Sequence, residues 1–237
     1  QMAVMRSEDK EKQQEMMTQL LELTDGMSRG KTFWTLPLES MPMVGKDSIS
    51  PFFCDILQHP TRDDYWKPVI CQHSQIQTPA LHIGGWYDIF TAETLRDFTG
   101  MQKNGGSEVA RRNQKLVMGP WPHGPMEGLV GEWDFGTKAS SGVVLPDELQ
   151  LRWFDYWLKG EQNGIMEEPP VRIFVMGDDD WRNENEFPLA RTQYTPYYLH
   201  SSGGANSLSG NGKLSPEKPA DEPVDTFVYD PRNPVPT

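Results

Sequence analysis

Two stretches decide how this chain is read: TPALHIGGWYDIF at 78–90 and QKLVMGPWPHG at 114–124. Ala80 to Ile83 and Lys115 to Met118 are short runs bounded by Pro or Gly, the form of a strand buried on both faces of a parallel sheet. A glycine turn is expected after each. Between them, Ala92, Leu95, Phe98 and Met101 recur at helical spacing, with Thr91 as the expected N-cap and Gly105-Gly106 as the stop. The unit is therefore strand, helix, strand. A right-handed crossover makes the two strands parallel, so the loops that follow them open on one edge of the sheet. Asp88 lies in the first loop and His123 in the second, so the two can meet. A carboxylate against an imidazole fixes its tautomer and stabilises the imidazolium formed in acyl transfer. The order acid then histidine is that of α/β-hydrolases downstream of their serine. Spacing alone also allows the plainer reading of two solvated loop side chains.

Bulk properties narrow the class. At 237 residues the chain can bury a core and hold one large domain or two smaller ones. Its 34 acidic against 22 basic residues leave a net charge of −12 with no basic stripe, which argues against nucleic acid as a partner. No apolar run is long enough for a spanning helix, so no membrane partner is expected. The chain opens on Gln1 rather than a methionine or a signal-like segment, which reads as a piece of a longer polypeptide whose compartment stays open. Cys54 and Cys71 are too few for a disulfide framework and are read as ordinary buried or half-buried thiols, with a single disulfide as the lesser alternative. No Cys/His spacing suggests a metal, and no cofactor is called for. His59, His73, His82 and His200 are scattered and read as structural or surface groups.

Residues 2–24 form a helix candidate whose second half alone has an apolar face, ended by Thr24-Asp25-Gly26. The proline-punctuated stretch after it, through Pro42, Pro51 and HPTRDDYW, predicts a small helical layer of short pieces with little core of its own. Residues 124–142 show no period. Pro146 to Lys159 predicts a strong helix, with Pro at the first turn and Gly160 as terminator. Trp153 and Trp157 share one of its faces. Strands are expected at Val171 to Met176, Tyr194 to Leu199 and Thr226 to Tyr229, with a long loop from Ser201 to Gly212.

The segments TPALHIGGWYDIF, LVMGPWPHG, LRWFDYWLKG, VRIFVMGDDDWR and FVYDPRNPVPT together resemble the cocaine esterase and X-Pro dipeptidyl-peptidase group of α/β-hydrolases, the CocE/NonD family. That group includes glutaryl-cephalosporanate acylases and α-amino acid ester hydrolases. The resemblance runs from about Pro51 to Thr237. It implies an α/β fold: the C-terminal part of an α/β-hydrolase sheet with a helical cap segment, followed by the start of a jelly-roll β-sandwich. The implied divisions are 1–70 for the cap segment, 71–189 for the hydrolase part and 190–237 for the sandwich.

By the same resemblance, the aspartate and histidine of a Ser-Asp-His triad fall on Asp88 and His123. The family serine sits on a G-x-S-x-G elbow upstream of the cap, and no such motif occurs here; Ser107, in GGSEV, reads as a loop residue. The expected partners are a small ester or amide substrate and the N-terminal part of the same enzyme, which would carry the serine; a homo-oligomer is allowed. Trp86, Tyr87, Phe90 and Trp121 are candidate walls for an apolar acyl or alcohol group, though packing around the two loops explains each equally well. Two departures from the family bear on substrate. Pro122 stands where a small hydroxyl residue commonly precedes the histidine. Ile89-Phe90-Thr91 follows Asp88 where the α-amino acid ester hydrolases place acidic residues for an ammonium group. The rival expectation is a non-catalytic piece whose β-rich end recognises a glycan or a partner.

Overall fold

The computed structural model describes residues 9–41, 52–144, 146–230 and 232–233. The start of the 2–24 helix candidate, Pro42, Pro51 and most of the PRNPVPT ending lie outside them. The chain divides into two units, Gln1–Ile76 and Gln77–Thr237.

In the first unit, helix α1 spans Lys10–Ser28, and Asp9 caps it by accepting from the N–H groups of Glu11 and Lys12. The helix does not stop at Thr24-Asp25-Gly26. A Cβ on Gly26 would lie 2.7 Å from Oγ1 of Thr32, so this glycine admits the next turn rather than ending the helix. Helix α2, Phe52–Gln58, and several single 3-10 turns are the unit's other helical pieces among the described residues. Of its described apolar side chains only Leu23 is fully buried, in keeping with the small core the sequence predicts. Cys54 is half-buried and Cys71 exposed, and both thiols are free, so the single-disulfide alternative is not realised.

The second unit begins with strand β1, Ala80–Tyr87, helices α3, Thr91–Asn104, and α4, Glu108–Arg112, and strand β2, Gln114–Pro122. Ser107 is not a loose loop residue. Its hydroxyl accepts from Ala110 N–H to cap α4 and donates to the Gln77 carbonyl. The 124–142 stretch holds the small hairpin β3, Leu129–Val130, with β4, Trp133–Asp134; then come helices α5, Ser141–Val144, and α6, Pro146–Phe154. Asp155–Lys159 continues α6 as one π-type turn, closed by Gly160 in the left-handed conformation. Strands β5, Val171–Val175, β6, Asp180–Glu184, β7, Tyr198–His200, and β8, Lys213–Ser215, follow.

The fold is mixed α/β. Its main sheet has the order β1-β2-β5-β6, with β1, β2 and β5 parallel and β6 antiparallel to β5. Strand β2 is buried along nearly its whole length, and its side chains alternate between two cores. Leu116 and Met118 pack with Phe98 of α3, Val171 and Ile173. Val117 and Trp121 pack on the other face with Val144, and Leu149 of α6 closes over them. Lys115, also buried, ties in the crossover before β5 by donating to the carbonyls of Glu168 and Pro169. Burial pushes its ammonium below the usual lysine range, an effect opposed by Glu168.

Four strand expectations need correction. Of Tyr194 to Leu199 only Tyr198 and Leu199 lie in a strand, β7. The glycines after the first two apolar runs lie inside β1 and β2, not in turns. A Cβ on Gly85 would sit 2.0 Å from the Trp121 carbonyl oxygen, and one on Gly119 2.4 Å from the Trp121 ring. Gly85 leaves room for the Trp121 backbone and Gly119 for its indole. Thr226 to Tyr229 forms no strand and is solvent-exposed, because among the described residues no second strand lies beside it to complete a ladder. Conversely, β6 and β8 form in polar stretches whose sequence carries no alternation.

Candidate active site

The site is built at the C-terminal ends of β1 and β2. Their register runs Ala80↔Gln114 to Gly85↔Gly119 and resumes at Tyr87↔Pro122, so β2 carries one more residue across the gap than β1 does. That bulge sets the next residues, Asp88 and His123, level with each other. Without it Asp88 would face Pro122.

Asp88 is held from three sides. Its Oδ1 accepts from Phe90 N–H at 2.8 Å, its own N–H donates to the Gly85 carbonyl at 3.1 Å, and the Thr91 hydroxyl donates to its carbonyl at 2.6 Å. The same hydroxyl also contacts the Gly85 carbonyl. Thr91 is therefore the first residue of α3 and not its N-cap, and its side chain closes the turn from strand to helix. Nδ1 of His123 stands 3.3 Å from Oδ1 and 3.4 Å from Oδ2 of Asp88. The carboxylate is largely covered, with 18 % of its side chain exposed, whereas the imidazole is 60 % exposed. The edge of one ring meets the face of the other where Phe90 packs on His123, centroids 5.0 Å apart. With Nδ1 directed at a carboxylate, Nε2 has no partner among the described residues and is the position able to take a proton from a nucleophile within hydrogen-bond reach.

The four aromatic candidates separate into two pairs. Tyr87 and Phe90 are 44 % and 51 % exposed beside the two loops. Trp86 turns inward against the Phe98 core and donates its indole N–H to the Phe174 carbonyl of β5 at 2.8 Å. Trp121 is 1 % exposed and donates to the Ala139 carbonyl at 2.6 Å. These two indoles brace the strand ends from behind.

Other histidine–carboxylate contacts exist. His59 meets Asp63 at 2.7 Å and stacks on Tyr65, and its hydrogen bond draws the Asp63 carboxyl below its usual range. His82 lies within the sheet against Gln114 and Phe98. His200 meets Glu222 at 2.6 Å. Nothing in the spacing of these histidines announces the acid partners of His59 and His200. Among the described residues no group of three His, Cys, Asp or Glu side chains could hold a metal, and no helix is long and apolar enough to cross a membrane.

Comparison with known proteins adds to this geometry. Residues 3–125, more than half of the chain and inclusive of both loops, match the model of the X-Pro dipeptidyl-peptidase (S15) family. Residues 163–235 match that of the X-Pro dipeptidyl-peptidase C-terminal non-catalytic domain. The cocaine esterase of Rhodococcus sp. (strain MB1 Bresler) is 37 % identical over 204 residues, which is 85 % of this chain and 34 % of the esterase. The chain thus spans about a third of that relative. Among solved structures, an aminopeptidase from a marine-sediment Thaumarchaeota archaeon superposes with a TM-score of 0.52 at 23 % identity, over 81 % of this chain and 30 % of the aminopeptidase. An α-amino acid ester hydrolase gives 0.50 at 21 %, over 72 % and 27 %. These two establish likeness of fold.

Proposed function

The chain belongs to the X-Pro dipeptidyl-peptidase (S15) family, the group of the CocE/NonD hydrolases, and from that premise we propose that Asp88 and His123 are the acid and base of a Ser-Asp-His triad acting on ester or amide bonds. The observation that carries this reading is the pairing itself: a covered carboxylate on Nδ1 of an exposed imidazole, at adjacent strand ends, with Nε2 unpartnered among the described residues. The chain has no G-x-S-x-G, and it spans about a third of its cocaine esterase relative, so the serine is assigned to the remainder of the polypeptide.

In the complete enzyme the serine hydroxyl attacks the carbonyl carbon while Nε2 of His123 takes its proton. The same nitrogen then returns that proton to the leaving alcohol or amine. Asp88 stays ionised, orients the ring through Nδ1 and stabilises the imidazolium. Tyr87 and Phe90 flank the reacting position and favour an apolar acyl or alcohol group. Exposed Ile89, Phe90 and half-buried Thr91 follow Asp88, and none of them offers a counter-charge to a substrate ammonium. The division proposed with this is a helical cap segment over 1–70, hydrolase sheet over 71–189 and the first part of a β-sandwich over 190–237. The pairing of β6 on β5 supports counting that hairpin with the sheet.

A fluorophosphonate probe tests the function. The full-length enzyme should label at its serine, and labelling should fall by orders of magnitude in His123→Ala. A full-length enzyme that does not label sinks the hydrolase reading. One that labels equally well without His123 sinks the assignment of the base.

A further inference from the structure

Outside the candidate site, His200, at the end of β7, has acceptors on both ring nitrogens. Its Nδ1 lies 2.6 Å from Oε1 of Glu222, and its Nε2 lies 2.8 Å from the backbone carbonyl oxygen of Glu217. A carboxylate and a carbonyl can only accept. A neutral imidazole has a single N–H and can satisfy one of them, leaving a lone pair directed at the other. The imidazolium has two N–H groups and satisfies both. The geometry is therefore that of the charged ring.

Both acceptors belong to one segment, 216–225, which follows β8 and returns to the end of β7 as a strap. Further fastenings do not involve His200: Glu217 N–H donates to the Ser215 hydroxyl, Ser201 N–H donates to Oε2 of Glu222, and Ala205 N–H donates to Oδ1 of Asp225. Residues of β7, β8 and the strap, among them Leu199, Ala205, Leu214, Pro223 and Val224, line an open cavity of about 890 Å³. We propose that His200 is a proton-operated latch: as the imidazolium it fastens the strap at two points, and on losing a proton to solvent it frees the Glu217 end while the Glu222 end stays bound. The asymmetry follows from bond strength. The remaining N–H keeps the charge-assisted bond to the carboxylate, and the neutral carbonyl loses its donor.

The charged groups around the ring act in both directions. Glu222 and Glu217 on the strap favour the imidazolium, and Asp225 adds negative charge along the same cavity. Lys213 opposes it from β8, directly across from His200 in the register. The balance raises the His200 pKa above the ordinary value, chiefly through the Glu222 bond and next through the Glu217 carbonyl. A raised folded value means that the contribution is complete below the unfolded pKa and disappears as pH rises through the folded one. The latch therefore holds below the raised pKa and opens above it.

Hydrogen exchange in the full-length protein reads both halves of this. Deuterium exchange at the imidazole C2 position, followed by mass spectrometry, should give His200 a midpoint above the ordinary ~6.5, falling back toward it in Glu222→Gln. Amide exchange at Glu217, whose N–H donates to the Ser215 hydroxyl, should, after correction for the chemical rate, be about tenfold faster above that midpoint than below it, the weight of one hydrogen bond to a charged group. In His200→Gln the corrected rate should not vary with pH. A midpoint at or below the ordinary value, or wild-type strap exchange independent of pH, overturns the proposal. Should His200→Gln fail to fold, the Glu222→Gln midpoint decides it alone.

Discussion

His123 and His200 both stand at or just past the end of a strand with a carboxylate on Nδ1, and they are arranged for opposite purposes. His200 has the closer acid, at 2.6 Å against 3.3 Å, and is the better covered, with 20 % of its side chain exposed against 60 %. Its second nitrogen is occupied by a carbonyl, and among the described residues that of His123 has no hydrogen-bond partner. A ring with both nitrogens bonded to acceptors is held in its charged form and serves as a fastening. A ring with one nitrogen bonded and the other open can exchange a proton with a substrate. If the proposed roles hold, the open far nitrogen of His123, and not the length of its acid contact, is what sets it apart from His200. Beneath the rings the supports differ as well. Asp88 and His123 end two strands packed through a core, whereas the strap against His200 is held by hydrogen bonds near the surface.

Substitutions should separate the two. The largest effect belongs to the open histidine: in the full-length enzyme, Asp88→Asn should lower kcat on the order of 10⁴-fold, and steady-state kinetics should find His200→Gln close to wild type at neutral pH. Next comes the floor beneath the pair. Phe98 is fully buried between α3 and the sheet, and Phe98→Ala should cost about 3–5 kcal/mol in a denaturant titration. Gly85→Ala drives a methyl into the Trp121 carbonyl and should cost about 1–3 kcal/mol, with activity falling further than stability alone explains because the strand ends part. Trp121→Phe keeps most of the packing and strands the Ala139 carbonyl, for a loss of about 1 kcal/mol.

The smallest effects are in pH dependence and have opposite signs at two places. Glu184 of β6 is held below the ordinary carboxylate range, first by its hydrogen bonds to Arg191 and also by Arg182. Its contribution is present above the unfolded pKa and is lost as pH falls through the folded one. Amide exchange should therefore find the β6 edge loosening in acid, where the His200 strap is firmest.

Strand β2 was legible as a short run buried on both faces, and the helix between it and the run at Ala80 to Ile83 forces the two parallel; β1 itself stands at the edge of the described sheet, with Ala80 to Ile83 only half-buried. What the glycines do was not legible. A glycine read locally means a turn, and the reason for Gly85 and Gly119 is Trp121, which only the folded register brings against them. Gly26 repeats the lesson with Thr32. Strand β6 escaped notice because its residues, apart from Trp181, are polar, and it pairs at the sheet edge where one face alone meets a core. Thr226 to Tyr229 has strand-like residues without a described neighbour to pair with. Of the four aromatic candidates, sequence could not tell the two indoles that brace the strands from the two rings that stand at the surface. Burial is decided by the opposite strand.

The indole of Trp86 has one more consequence. It reaches past β2 to the carbonyl of Phe174, so the strand end that carries Asp88 is bonded to residues within the stretch matched as a non-catalytic domain. Recombination between relatives at the edge of that match, near residue 163, would exchange β5 and β6 and replace one wall of the site's own sheet. A crossover placed after Glu184 would leave the hydrogen-bonded sheet whole, and chimeras of this family are better cut there.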